Sequence, residues 1–164
     1  MRKLLLIRHA KSSWKFPELD DHERPLNKRG QRDIISMARH LAHKDEVLDV
    51  VYSSTAVRAL ELAAMISELS NVSLVPELSF YTFSADELLE ILRNMPDEAR
   101  NIAVVAHNPA ITETVNRLID ADLNNVPTSG VVAIECPIDS WSLLGELEQD
   151  CELLYFDYPK MLSY

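Results

Sequence analysis

The stretch Leu4-Leu5-Leu6-Ile7-Arg8-His9-Ala10 decides the fold: four consecutive apolar residues end abruptly in an arginine and a histidine. A run without polar alternation suits a strand of a parallel sheet, buried on both faces, and ligands bind outside the carboxyl ends of such strands. Two further runs stop the same way. Residues 47–52 lead into Ser53-Ser54-Thr55-Ala56-Val57-Arg58, and residues 102–106 lead into His107-Asn108-Pro109. Arg8, His9, Arg58 and His107 therefore fall at or just beyond three strand ends.

Outward from the first run, a polar stretch over residues 11–27 precedes a helix with Asn27 as cap and Ile34, Ile35, Ala38, Leu41 and Ala42 at helical spacing. The second strand feeds a helix from about Thr55, with Leu60, Ala63, Ala64 and Leu69 read as its inner face and Arg58 in its first turn. Residues 73–75 form a third strand that ends at Pro76. Ser84-Ala85-Asp86-Glu87 then reads as the capping box of a helix that buries Leu88, Ile91, Leu92 and Met95 and stops before Pro96. Asn108 as cap and Pro109 at the first helical position open a helix with Ile111, Val115, Leu118 and Ile119 on one face. Residues 131–136 and 151–156 are the last two strands, joined through residues 139–145 as an antiparallel edge hairpin. Such alternation predicts an α/β three-layer sandwich with a mostly parallel central sheet, in one domain spanning residues 1–164.

Composition narrows the function. The 164 residues, 47% of them hydrophobic, suffice for a sizeable core, and a formal charge of −10 argues against nucleic-acid binding. No run is long enough to span a membrane, and Arg8 interrupts the amino-terminal apolar stretch before it reaches signal-peptide length. Cys136 and Cys151 lack a CxxC spacing and read as buried thiols in a reducing cytoplasm, with a disulfide disfavoured. Three glycines cannot build a dinucleotide fingerprint or a Walker-type loop, so a bound phosphate would need its charge from side chains. His40 and His43, three residues apart on a helix, lack the partners that complete a metal site and read as surface residues. Asp20-Asp21-His22-Glu23 reads as a solvated charge cluster at the rim of the site. Trp14 and Phe16 either line its entrance or pack in the core.

Phosphoryl transfer needs fixed positive donors and an in-line nucleophile. Arginine matches phosphate with a rigid, permanently charged fork, so Arg8, Arg58 and Arg24 are suitable donors. A neutral ring nitrogen of His9 could attack phosphorus and form a phosphohistidine that water hydrolyses, while His107 donates to the phosphoryl oxygens.

Three segments, Arg8-His9-Ala10, Tyr52-Ser53-Ser54 through Arg58-Ala59, and Val105-Ala106-His107-Asn108-Pro109, resemble the signatures of the histidine phosphatase superfamily, also called phosphoglycerate-mutase-like. Arg8 through Trp14, Arg24-Pro25-Leu26-Asn27-Lys28-Arg29-Gly30 and Pro127-Thr128-Ser129-Gly130 resemble its SixA-type phosphohistidine phosphatases. The resemblance implies a phosphoglycerate-mutase-like sandwich with a minimal cap and a nucleophilic His9. It also implies a phosphate pocket of Arg8, Arg58 and His107, with substrate contacts from Arg24 and Ser12, and neither metal nor other cofactor. Ala10 stands where glycine is more frequent. Many members protonate an alkoxide leaving group with a carboxylic acid, and Glu77 is the candidate by chain order. The implied partner is a phosphorylated protein. A phosphatase for a small phosphorylated metabolite and a non-catalytic phosphoprotein-binding module are the competing readings, and oligomeric state is open.

Overall fold

A computed structural model describes residues 1–146 and 151–162. Its strands are β1 (Arg2–Arg8), β2 (Val50–Ser53), β3 (Leu74–Pro76), β4 (Asn101–Ala106), β5 (Val131–Cys136) and β6 (Glu152–Asp157). Its helices are α1 (Lys28–His43), α2 (Val57–Ser70), α3 (Ala85–Arg93) and α4 (Ala110–Leu118), with short 3-10 turns between several elements. The strands form one sheet in the order β3-β2-β4-β1-β5-β6. Pairings among β1 to β4 are parallel, whereas β5 pairs antiparallel with both β1 and β6. The expected mostly parallel α/β sandwich is what the chain forms.

Period-two alternation splits the core between the two faces. Leu4 and Leu6 of β1 join Val104 of β4 and the inner faces of α3 and α4. Leu5 and Ile7 join Val105 and the inner faces of α1 and α2. The helix after β1 therefore covers one face and the helix after β4 the other, although these strands are neighbours. A crevice opens at their carboxyl ends, where ligands bind in folds of this kind.

Local chemistry explains most boundaries. Asn27 caps α1 by accepting from the Gly30 amide at 2.8 Å, and Ser84 caps α3 by accepting from Glu87 N at 3.3 Å. The capping box is half formed, because the Glu87 carboxylate accepts from Thr82 Oγ1 instead. Asn108 Oδ1 accepts from both the amide and the hydroxyl of Thr112, and α4 starts one residue after Pro109.

Three expectations need correction. The inner face of α2 is Ala59, Leu62, Ala63 and Ile66, whereas Ala64 and Leu69 are exposed. Its apolar residues run round the helix, so their spacing selects no face. On α1, Met37 is buried and Ile35 faces outward at 39% exposure. Cys136 and Cys151 are joined as a disulfide, so the pair lends no support to a reducing cytoplasm. The expected antiparallel edge pairing of the last two strands is present, and the connection between them carries a buried Trp141. His40 is also more than a surface residue: its Nε2 lies 2.6 Å from Oδ2 of the buried Asp157, tying α1 to the edge strand β6. Among the described residues, no helix is long and apolar enough to cross a membrane.

Candidate active site

Sheet register brings the two histidines together. Arg8 is level with Ala106 in the β1–β4 ladder, and His9 N donates to Ala106 O at 2.9 Å, continuing the pairing one residue further. The His9 and His107 rings consequently stand with centroids 5.1 Å apart. On the other side of β4, β2 ends level with it, and Ser54 N donates to Val105 O at 2.9 Å. Arg58 lies in the first turn of α2, and its carbonyl accepts from Ala10 N at 3.0 Å.

Hydrogen bonds assign both imidazole tautomers. His9 Nδ1 is 2.7 Å from Ala10 O, which can only accept, so Nδ1 carries the hydrogen and Nε2 keeps a lone pair. Burial, together with Arg58, Arg8 and Arg24, outweighs the bond to Ala10 and lowers the His9 pKa to about 4. Neutral at pH 7, the ring has the free Nε2 lone pair that a nucleophile needs.

His107 is fully buried, with Nε2 2.8 Å from Ser54 Oγ. That oxygen already accepts from Ala56 N, and His107 Nε2 is the acceptor available to its own hydrogen. His107 Nδ1 therefore carries the other hydrogen, and it has no partner among the described residues. Burial first, then His9 and Arg58, lower the His107 pKa to about 3.

The arginines are organised around a carboxylate. Asp21 Oδ1 accepts from Arg24 Nε at 3.1 Å and Nη2 at 3.0 Å, and Oδ2 accepts from Arg58 Nη2 at 2.8 Å and from Tyr81 OH at 2.7 Å. Partial burial works to raise the Asp21 pKa, but bonds from Tyr81, Arg58 and Arg24 prevail and hold it well below the usual carboxylate range. Arg24 also donates to Ser12 Oγ at 2.6 Å and stacks 3.6 Å over the ring of Trp14. Arg8 Nη1 is anchored on Val126 O at 3.0 Å. The Nε atoms of Arg8 and Arg58 are buried without acceptors among the described residues, and a bound tetrahedral anion could supply them.

Arg8, His9, Ser12 and Arg24 line one cavity of about 380 Å³, with Lys11, Ser13, Trp14, Lys15, Asn27 and Thr128 completing its wall. Arg58 and His107 do not line it. Tyr81 and Phe83 each pack 5.3 Å from the His107 ring, and Arg58 is held by Asp21. Glu77 is exposed and belongs to a different cavity, beside Tyr52, Glu90 and Met95. Trp14 is 79% exposed and Phe16 43%, so neither is core. Asp21, Ser54 and Tyr81 are the contributors that sequence reasoning missed. Asp21 stands three residues before Arg24 in the acidic run read as solvated, and nothing in that run marks it out from Asp20 or Glu23.

The sequence profile described as histidine phosphatase superfamily (branch 1) matches residues 4–81. The chain is 31% identical to an uncharacterized chloroplastic protein of Arabidopsis thaliana, over 85% of this chain and 69% of that one. It is 30% identical to an uncharacterized protein of Mycobacterium leprae, over 94% of this chain and all of the other. Among solved structures it is similar to the putative phosphohistidine phosphatase SixA from Nakamurella multipartitia, with TM-score 0.82 and 25% identity, covering 96% of each chain. The chain belongs to the histidine phosphatase superfamily. Its fold is that of the SixA-type structures.

Proposed function

We propose that this chain is a phosphatase that hydrolyses phosphohistidine on proteins. His9 Nε2 attacks phosphorus while Arg8, Arg58 and the Nδ1–H of His107 hold the peripheral oxygens. The substrate ring, protonated by solvent, leaves as neutral imidazole when its phosphorus–nitrogen bond breaks, and water then cleaves the His9 phosphoramidate to give orthophosphate. Arg24 and Ser12 contact the substrate at the cavity wall.

The observation that carries the substrate class is that, among the described residues, no carboxyl group lines the cavity opening onto His9. An alkoxide is a poor leaving group and needs a proton donor, whereas a phosphorylated imidazole departs readily once its ring is protonated. Glu77 lies in another cavity, and Asp21, paired with two guanidiniums, holds no proton to give. The likeness to a putative phosphohistidine phosphatase supports the same reading.

A substrate panel tests it. Phosphohistidine protein should be turned over faster than sugar phosphates and nucleotides, in the presence of EDTA, with acid-labile label trapped on the enzyme. His9→Ala should lose at least about 10³-fold in kcat. Preference for a metabolite would move the substrate class, and undiminished turnover by His9→Ala would remove the mechanism.

A further inference from the structure

Arg8, Arg24 and Arg58 serve one phosphoryl group in the proposed reaction. Three guanidiniums less the Asp21 carboxylate leave two positive charges, which one phosphoryl dianion balances. Lys11 and Lys15 stand outside this balance. Both are exposed, both line the cavity that opens onto His9, and among the described residues neither forms an ion pair. Three acids of this region have other partners: Asp21 holds the arginines, Glu23 lies 3.0 Å from His22, and Asp33 lies 3.6 Å from Arg29, with Arg29 and Arg32 acting on it more strongly than Lys11 does.

Cations outside any ion pair among the described residues, gathered beside a candidate reactive centre, stand out in a chain with 26 acidic and 16 basic residues. Like charges close together repel, and an anion seated among them removes the repulsion. The exposed ring of Trp14, stacked on Arg24, supplies an apolar wall to the same space.

Resting on the phosphohistidine reading, we propose that Lys11 and Lys15 form a second-anion subsite that selects substrates carrying an acidic side chain beside the phosphohistidine. The scissile group sits over His9, and the flanking carboxylate lies along residues 11–15. The lysines contribute to capture of the acidic segment and leave the chemical step untouched.

Two arms test the subsite. In the first, the whole protein is given two phosphohistidine peptides identical except that Asp flanks the phosphohistidine in one and Asn in the other. At low salt kcat/KM should favour the Asp peptide by about tenfold, through KM, and the preference should shrink at about 0.5 M salt. Lys11→Ala/Lys15→Ala should abolish the preference while turnover of the Asn peptide stays unchanged. Equal use of both peptides by the wild type, or an Asp preference that survives in the double variant, overturns the proposal.

The second arm needs no phosphohistidine turnover and so separates failure of the subsite from failure of the substrate reading. In calorimetry, inorganic pyrophosphate should bind about tenfold more tightly than inorganic phosphate, and the double variant should lose that difference. Pyrophosphate binding no tighter than phosphate, or a difference that the double variant keeps, overturns the subsite.

Discussion

Asp21 grips Arg58 with two groups: its carboxylate Oδ2 accepts from Nη2 at 2.8 Å, and its backbone carbonyl accepts from Nη1 at 2.6 Å. The other carboxylate oxygen holds Arg24. One side chain from the stretch between β1 and α1 thus fixes the separation of two guanidiniums that would otherwise repel. Asp21→Ala should release both forks, and misplaced donors should lower kcat/KM by about 10²-fold. If Asp21 is a clamp, the loss is the same for an aryl phosphate with a good leaving group and for an alkyl phosphate with a poor one. A loss confined to the alkyl phosphate would make it a proton donor instead.

Gly30 sits in the first turn of α1, where a Cβ would stand 2.1 Å from the carbonyl oxygen of Lys11. That carbonyl is backbone, already accepts from Asn27 N at 3.0 Å, and cannot rotate aside as a side-chain tip could. Gly30→Ala should force residues 11–15 away from the helix, costing about 1–3 kcal/mol in urea unfolding. Activity should fall with it, because the displaced segment forms the cavity wall beside His9. Full stability and full turnover in this variant would show that the segment shifts freely.

The strand ends were legible because buried parallel strands announce themselves as unbroken apolar runs. The polar residue that stops such a run is placed by the fold, which is why Arg8, His9, Arg58 and His107 could be read directly. Asp21 could not, since an acidic run has the same appearance whether it meets water or arginines, and only the fold of residues 9–27 over α2 distinguishes them. The inner face of α2 was lost for the opposite reason, an excess of apolar residues. Glu77 follows its strand as the chemistry would require, but the turn Leu78–Phe80 leaves it beside Met95 rather than His9.

The disulfide and the candidate site occupy opposite ends of the sheet. Cys136 is level with Arg2, at the start of β1, whereas His9 follows its end. The bond closes a segment with a sequence separation of 15, for which chain entropy alone stabilises the fold by about 3 kcal/mol. Cys136→Ser should lower stability by about that amount under non-reducing conditions and leave kcat/KM unchanged. A parallel loss of activity would indicate coupling along β1.

Both histidines prefer the neutral form on folding, so their effect on stability has a definite sign. From the ordinary value of 6.5, burial and nearby cations lower His9 to about 4, and burial with His9 and Arg58 lowers His107 to about 3. Between pH 6.5 and about 4 the unfolded chain takes up protons at these positions that the folded chain refuses. Their contribution to stability is therefore present above pH 6.5 and is lost as the solution is acidified through that window. Histidine nitrogen NMR should show Nε2 of His9 and Nδ1–H of His107 at pH 7, with both rings still neutral at pH 5. Saturating inorganic phosphate should then move the His107 titration upward, because a dianion beside Nδ1 favours the imidazolium. A His9 that titrates near 6.5 in the free protein would mean a ring open to water, unaffected by the three arginines.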